Sequence, residues 1–471
     1  MLEYVSRPKS TQIQIFYKIE AFHEMKQKIN DLTQGNLFHK ILIFSIPLIL
    51  SNLLQVLFNM ADLAVIGRFS GPISLGAVGS TSTLVMMFTG FLIGLSGGIN
   101  VLVALYYGAN DKEGLSKVVH SAAIVSAIIG ILLLICGTGL SGWMLSLLKT
   151  KPELLSKATL YLRIYYLGMP ALAIYNFGNA VYSAIGNTKK PLCYLSISGV
   201  LNIVLNLFFV IVCHLDVAGV ALASIISQYV SAGLILFSLF CSKDIYALRL
   251  QRLQPDVFLT KRILKLGIPC GLQNVVFYFA NGFVQMGINS FDATMVAGNA
   301  AAANADTLVY DVMAAFYTAC GSFMSQNFGA GKRDRIRNSY FICLLYAFGI
   351  GLLMGITLVF FGPSFLSLFT RDTAVINAGM KRLSIMGFSY CVSAFMDNTI
   401  AAARALGKSV IPMVIVIMGS CVFRVAWIYT IFAYFHTIPS LYLLYVFSWL
   451  LTALAEIIYY RYVYKRKIYM I

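Results

Sequence analysis

Charge is scarce in this chain: 11% of its 471 residues are Asp, Glu, Lys or Arg, against about a quarter in ordinary soluble domains. Set beside 59% hydrophobic residues, that shortage excludes a water-soluble globular protein and leaves lipid as the main solvent. Other absences narrow the class. The nine cysteines stand singly, at 136, 193, 213, 241, 270, 320, 343, 391 and 421, with no CxxC spacing, so neither a disulfide framework nor a thiolate metal site is expected. The five histidines (His23, His39, His120, His214 and His436) form no HExxH pair. No DDxxD carboxylate cluster or catalytic histidine is present, which argues against an integral-membrane transferase and for a protein that is not an enzyme. No repeated filter segment suggests a channel. No segment alternates as barrel strands do, so helices are the expected spanning form. Residues 1–35 lack a short apolar core followed by a small-residue cleavage site and do not read as a signal peptide. Met25 is a second candidate start, since Asp31-Leu32-Thr33-Gln34-Gly35 leads directly into the first apolar run.

What the chain does have is a series of long apolar runs, near 41–67, 76–105, 118–143, 158–182, 191–213, 217–241, 263–289, 295–326, 339–362, 379–403, 409–435 and 440–460. Each is long enough to cross a hydrocarbon core of about 30 Å as a helix. The expected fold is therefore an all-α polytopic membrane protein with twelve transmembrane helices. The net charge of +17 raises nucleic acid as a partner, but 26 of the 35 Lys and Arg residues fall in alternate loops and the two termini, against 7 in the opposite loops. That asymmetry is the positive-inside pattern and places both termini in the cytoplasm of a multi-pass plasma membrane protein. No nucleic-acid partner is expected, because no basic run is interleaved with aromatics on a soluble module.

The chain also repeats itself. Ser45-Ile46-Pro47 is answered by Gly267-Ile268-Pro269, 222 residues on. Tyr107-Gly108-Ala109 is answered by Phe328-Gly329-Ala330, and Ala184-Ile185-Gly186 with Pro191 by Ala405-Leu406-Gly407 with Pro412, each 221 on. Internally duplicated membrane proteins are most often transporters. Six spans per copy is an even number, so the copies enter the membrane from the same side, as a parallel repeat about an axis along the membrane normal. The expected division is a cytoplasmic tail 1–39, an N-lobe 40–242, a cytoplasmic linker 243–262 and a C-lobe 263–465. Two facing lobes enclose a central cavity, and rocking them exposes it to either side in turn.

Polar residues inside the spans mark where that cavity lies, since a charged side chain at mid-membrane costs on the order of 3 kcal/mol. Asn52, Gln55, Asn59 and Asp62 fall within about 80° of one helix face, a stripe suited to lining a cavity or a hydrogen-bonded seam between helices. Asn202 and Asn206 share a face of the fifth span, as do Asn176 and Asn179 of the fourth. Asp62 with Asn202, Asn206 and Ser224 offers the oxygen ligands that Na⁺ takes; alternatively a desolvated Asp62 exchanges protons. Pro47, fifteen residues earlier in the same span, is a candidate hinge. In the second lobe Asn274, Tyr278, Asn281 and Gln285 share a face of the seventh span, and Asp306, Tyr310, Met313 and Tyr317 form a stripe on the eighth, with Asp311 offset from it. Asp397 and Arg404 stand seven apart in the tenth span and Arg424 lies within the eleventh, so Asp397 either faces the cavity or neutralises one of these arginines. Acidic, aromatic and Met side chains together suit an amphipathic organic cation as the small-molecule substrate. A lipid-linked oligosaccharide flippase would need a strongly cationic cavity, whereas the intramembrane Asp residues here are at least as numerous as the Arg residues.

On these residues the chain resembles the multidrug and toxic compound extrusion (MATE) family over nearly its whole length from Asp31 onward. The carrying segments are Ile46-Pro47 through Asn59-Met60-Ala61-Asp62-Leu63-Ala64-Val65-Ile66-Gly67-Arg68, Leu75-Gly76-Ala77-Val78-Gly79, Tyr107-Gly108-Ala109 and Ser325-Gln326-Asn327-Phe328-Gly329-Ala330-Gly331. The resemblance implies a V-shaped pair of six-helix bundles that exports organic cations or other drug-like molecules in exchange for H⁺ or Na⁺; no other cofactor is expected, and the chain is expected to act as a monomer in the bilayer. It implies that Asp62 is the membrane-embedded acid of the first helix, that Asn176, Asn202 and Ser224 are its partners, and that Asp306 holds the family's acidic position in the eighth helix. One departure is visible: Asn206 stands where many bacterial members carry a second acid, which leaves the coupling ion open.

Overall fold

Residues 31–468 are described in the computed structural model, and every regular element among them is helical. Lobe 1 comprises α1 (Leu37–Phe69), α2 (Gly71–Gly108), α3 (Lys112–Leu147), α4 (Pro152–Tyr166), α5 (Met169–Ala184), α6 (Lys189–Leu207) and α7 (Asp216–Cys241). Lobe 2 comprises α8 (Val257–Ile288), α9 (Ala293–Gly329), α10 (Arg333–Leu366), α11 (Thr373–Ala405), α12 (Val410–Phe435) and α13 (Ile438–Ile468). The crossings number twelve because α4 and α5 are one. Pro170 has no N–H to offer the Tyr166 carbonyl, so the ladder breaks there and Leu167 and Gly168 close tighter turns onto Ile164 and Tyr165 while staying in the right-handed region. Residues 1–30, including the alternative start Met25, lie outside the described residues.

Among the described residues nine helices are apolar and long enough to span a bilayer by composition alone. The other three crossings are the broken α4–α5 pair and the two helices richest in Asn, Asp and small residues, α9 and α11, which are deeply buried among the rest. The irregular linker between lobes is shorter than the sequence suggests, because α8 already begins at Val257, where Asp256 caps Leu259 N–H at 2.9 Å. Two π turns occupy similar places in the repeat, Phe208–Val212 continuing α6 and Ile428–Phe432 near the end of α12, whereas a third, Ile417–Val422, is confined to lobe 2.

The repeat anchors have structural causes. Gly186 and Gly407 sit at φ of +86° and +80°, ending α5 and α11 in the left-handed turn that only glycine enters freely. The Tyr107-Gly108-Ala109 and Phe328-Gly329-Ala330 anchors meet each other. A Cβ on Gly108 would fall 2.0 Å from the Gln326 carbonyl oxygen, and one on Gly329 2.0 Å from that of Leu105. Those two contacts exchange under the 221-residue offset, so α2 and α9 cross on the pseudo-twofold axis, close to the end of the molecule that carries the described chain ends. The lobes also meet where α2 lies against α8: a Cβ on Gly94 or Gly98 would stand 2.5 Å from the backbone of Cys270–Gly271 or Gly267. Small residues let helix backbones approach where lipid provides no hydrophobic drive.

Reciprocal straps clasp this end. The segment before α1 lies on lobe 2: Leu32 N–H donates to Gln326 Oε1 at 3.2 Å, Lys332 donates to the Thr33 carbonyl at 2.8 Å, and Arg335 donates to the carbonyls of Leu32, Gln34 and Gly35 at 2.8 to 3.2 Å. The segment before α8 lies on lobe 1, where Arg249 N–H donates to His120 Nε2 at 3.0 Å and Asp256 N–H to Ser121 Oγ at 3.1 Å.

Candidate functional site

Every hydrogen bond between the lobes among the described residues lies at mid-helix or nearer the strapped end. The outermost are Asn52 Nδ2 to the Asp311 carbonyl and Asn274 Nδ2 to the Gly90 carbonyl, both 2.8 Å; Ser322 Oγ to Asn100 Oδ1, at 3.0 Å, lies deeper. Beyond Asn52 and Asn274 the lobes part. Gln55, Asn59, Gln285, Asn304 and Tyr310 lie there with exposed side chains, and exposed amides belong in a water-filled cleft rather than against lipid. The polar stripe of α1 therefore spans both situations: Asn52 holds lobe 2, and Gln55 and Asn59 line the cleft.

The remaining member of the stripe, Asp62, turns into its own lobe. Asn206 Nδ2 donates to Asp62 Oδ1 at 2.5 Å and Ser224 Oγ donates to Oδ2 at 3.2 Å. Asn206 Nδ2 also reaches Asn202 Oδ1 at 3.2 Å, and Asn202 Nδ2 reaches Ser224 Oγ at 3.5 Å. Three side chains from α6 and α7 thus close a ring with the one carboxylate of α1, and no cation among the described residues forms an ion pair with it. Asn206 Oδ1 is buried without a partner. Rotating that amide would add its oxygen to those of Asp62, Asn202 and Ser224, the donor set of a hard cation such as Na⁺; a proton on Asp62 would satisfy the ring equally well. Asn176 is buried but spends its amide on the Leu172 carbonyl at 2.9 Å, outside the ring. Pro47 is buried inside an unbroken α1.

Lobe 2 handles its polar residues differently. Asp306 is bonded by Arg382 and by the Tyr390 hydroxyl, and Arg382 also bonds Asn299; its carboxylate is taken up inside the lobe rather than presented to the cleft. Asn281 Oδ1 accepts from Arg424 Nη1 at 3.1 Å, and Gln285 donates to Asn289 at 2.8 Å. Tyr278 is half-buried and packs on Gly90 at the lobe seam, and Tyr310 lies 6.4 Å from the Tyr317 ring. Among the described residues Asp397 forms no ion pair: Arg404 donates to Gln273 Oε1 at 2.7 Å, and Arg424 donates to Ser448 Oγ at 3.1 Å with its guanidinium between the Phe277 and Tyr445 rings. Sequence reasoning missed Arg382 and Glu456. Arg382 lies 76 residues from its partner, beyond any periodicity; Glu456 sits in the last apolar run and was detectable as a lone acid there.

The MatE family matches residues 47–208 and 269–430, two copies set apart by the repeat's own 222 residues. The chain is similar to the probable multidrug resistance protein YpnP of Bacillus subtilis, 29% identical over 384 residues that cover 80% of this chain and 85% of the relative. Two solved structures share the fold, each covering 93% of this chain and 98% of its own. One is an outward-facing conformation of a multidrug resistance MATE family transporter (TM-score 0.87, 23% identity), the other a MOP superfamily transporter from Pyrococcus furiosus whose description notes a reversed polarity of the binding pocket (TM-score 0.87, 24% identity). With both halves matched in register and twelve helices arranged as two six-crossing lobes, the chain belongs to the MatE family.

Proposed function

We propose that this protein is a secondary active exporter that moves amphipathic organic cations or similar drug-like molecules across the bacterial plasma membrane in exchange for H⁺ or Na⁺. The observation that carries the reading is the Asp62 ring: a half-buried carboxylate beside the cleft, held by neutral donors, with no built-in counter-cation. Such a group needs a cation or a proton to be stable in a low-dielectric setting, and binding one changes the bonding of α1, α6 and α7 together. With both termini cytoplasmic, the strapped end is the inner gate and the cleft opens outward. The seam of glycines and the straps then release when the lobes rock, and the cleft closes on the other side. Pro47, where α1 lacks one backbone hydrogen bond, is the candidate hinge for that motion.

Efflux of a fluorescent organic cation from proteoliposomes, driven separately by an H⁺ or a Na⁺ gradient, tests the reading. One gradient is expected to drive transport, and Asp62→Asn is expected to abolish it while the purified variant keeps its melting temperature. Gradient-driven transport that persists in Asp62→Asn would sink the assignment of Asp62. A second reading, export of an anionic metabolite, is favoured by one observation, the Arg424 guanidinium standing directly behind Asn281. It predicts efflux of an organic anion and none of the cation.

A further inference from the structure

Helix α13 carries Ser448, Thr452 and Glu456 at four-residue intervals, hence on one face. Ser448 accepts from Arg424 Nε, and Arg424 in turn donates to Asn281 on the face of α8 that borders the cleft. Thr452 donates to the Ser448 carbonyl at 2.6 Å and shares a hydrogen bond with Ser420 at 3.0 Å. The column ends at Glu456, one turn nearer the strapped end. Glu456 is fully buried, and neither of its carboxyl oxygens has a partner. Arg404 and Asp397 of α11 are charged neighbours of Glu456, and Tyr459 lies three residues on along its own helix. A charged neighbour is also underused: Arg404 Nε is buried and unpartnered, as is Nη2 of Arg424 in α12. No ion pair among the described residues includes Glu456, Asp397, Arg404 or Arg424.

An ionised carboxylate with both oxygens dry and unbonded is far costlier than a neutral one. An arginine that keeps a free donor beside it gives the ionised form somewhere to go. We propose that Glu456 is a second proton-exchange site, in lobe 2: it is protonated in this conformation, and it ionises when the lobes rock and the carboxylate reaches Arg404 Nε. The O–H bond of the carboxyl breaks, its electron pair stays on the carboxylate, and the proton leaves to solvent water. Protonation is thereby tied to a change of partner within lobe 2. The inference rests on the exporter reading only for the direction of that proton; the existence of the site does not depend on it.

Infrared difference spectroscopy on the purified protein in nanodiscs, recorded across a pH step, reads the carboxylic acid C=O band directly. Wild type is expected to show a band that disappears in Glu456→Gln, persists in Asp62→Asn and shifts in frequency in Glu456→Asp. A band unchanged in Glu456→Gln, or no band in wild type, overturns the proposal. Should Glu456→Gln fail to fold, an unshifted band in Glu456→Asp overturns it instead. Proton release on binding the fluorescent cation, followed with a pH dye, is expected to fall by about one proton per chain in Glu456→Gln. A protein that shows the band yet transports nothing under either gradient would fail the exporter reading alone.

Discussion

Lobe 1 surrounds a single carboxylate with amides and a hydroxyl, whereas lobe 2, built on the same repeat, sets Asp306, Asp397 and Glu456 among Arg382, Arg404 and Arg424. The repeat makes the substitution explicit. At the 222 offset of the first anchor Asp62 corresponds to Val284, a buried apolar residue, and at the 221 offset that holds through Pro191, Asn202, a member of the Asp62 ring, corresponds to Phe423. Where lobe 1 offers oxygens to a cation from outside, lobe 2 carries its own guanidinium. Duplication preserved the helix frame and the glycine caps, because these set how helices pack. It did not preserve the charge at the centre of each bundle, which packing leaves free to diverge. The comparison teaches that pseudo-symmetry of backbone here does not extend to chemistry: one lobe rings an unpaired carboxylate with neutral donors, the other sets its carboxylates among guanidiniums.

The contrast can be broken most forcefully at Arg382. Arg382→Met leaves the half-buried Asp306 without its cation and is expected to cost about 3 kcal/mol of stability, seen as a large drop in melting temperature. The double variant Arg382→Met/Asp306→Asn is expected to recover most of it. Were the double variant no more stable than the single, the pair would not be the structural element described. A smaller effect is expected at the strap. Arg335→Ala removes the donor to three carbonyls, with a net cost of about 1–3 kcal/mol borne by the closed inner end rather than by the whole fold. Hydrogen exchange at the amides of Leu32 and Thr33 should quicken while the core of α9 stays protected. The smallest effect is expected at Asn176, whose amide is committed to its own helix. Asn176→Ala should leave ion-driven transport within about threefold of wild type, a change of under 1 kcal/mol; a loss as large as that of Asp62→Asn would draw Asn176 into the ring after all.

Much of the frame was readable from the residues. Apolar runs long enough to span lipid, a positive-inside loop pattern and three anchors in register gave the spans and the duplication, because each follows from length, charge placement or a backbone requirement. The Asp62 ring was readable in outline for a similar reason: Asn202 and Asn206 share a face through a local spacing, and a lone Asp in an apolar helix must face protein or water. The charge network of lobe 2 was not readable in the same way. Asp306 and Arg382 are partners only because α9 packs on α11, and the stripe that groups Asp306 with Tyr310 is equally consistent with a cleft wall. Asp397 shares a helix face with Arg404, yet that arginine turns to Gln273 of α8, a choice made by tertiary packing. Glu456 is the lone acid of the last apolar run, and it is the packing of α13 on α11 that buries it.

The crossing of α2 and α9 has a mechanical consequence. Gly108 rests on the Gln326 carbonyl and Gly329 on that of Leu105, so each helix presents the other with the contact it receives, as the two subunits of an isologous dimer do. A contact on the symmetry axis travels least when two bodies rotate about it, and points far from it travel most. In the conformation described the crossing is thus the point from which the two lobes diverge towards the cleft walls. A small angular change admitted by loosening the straps becomes a wide displacement at Gln55, Asn59 and Tyr310, which lie further from it.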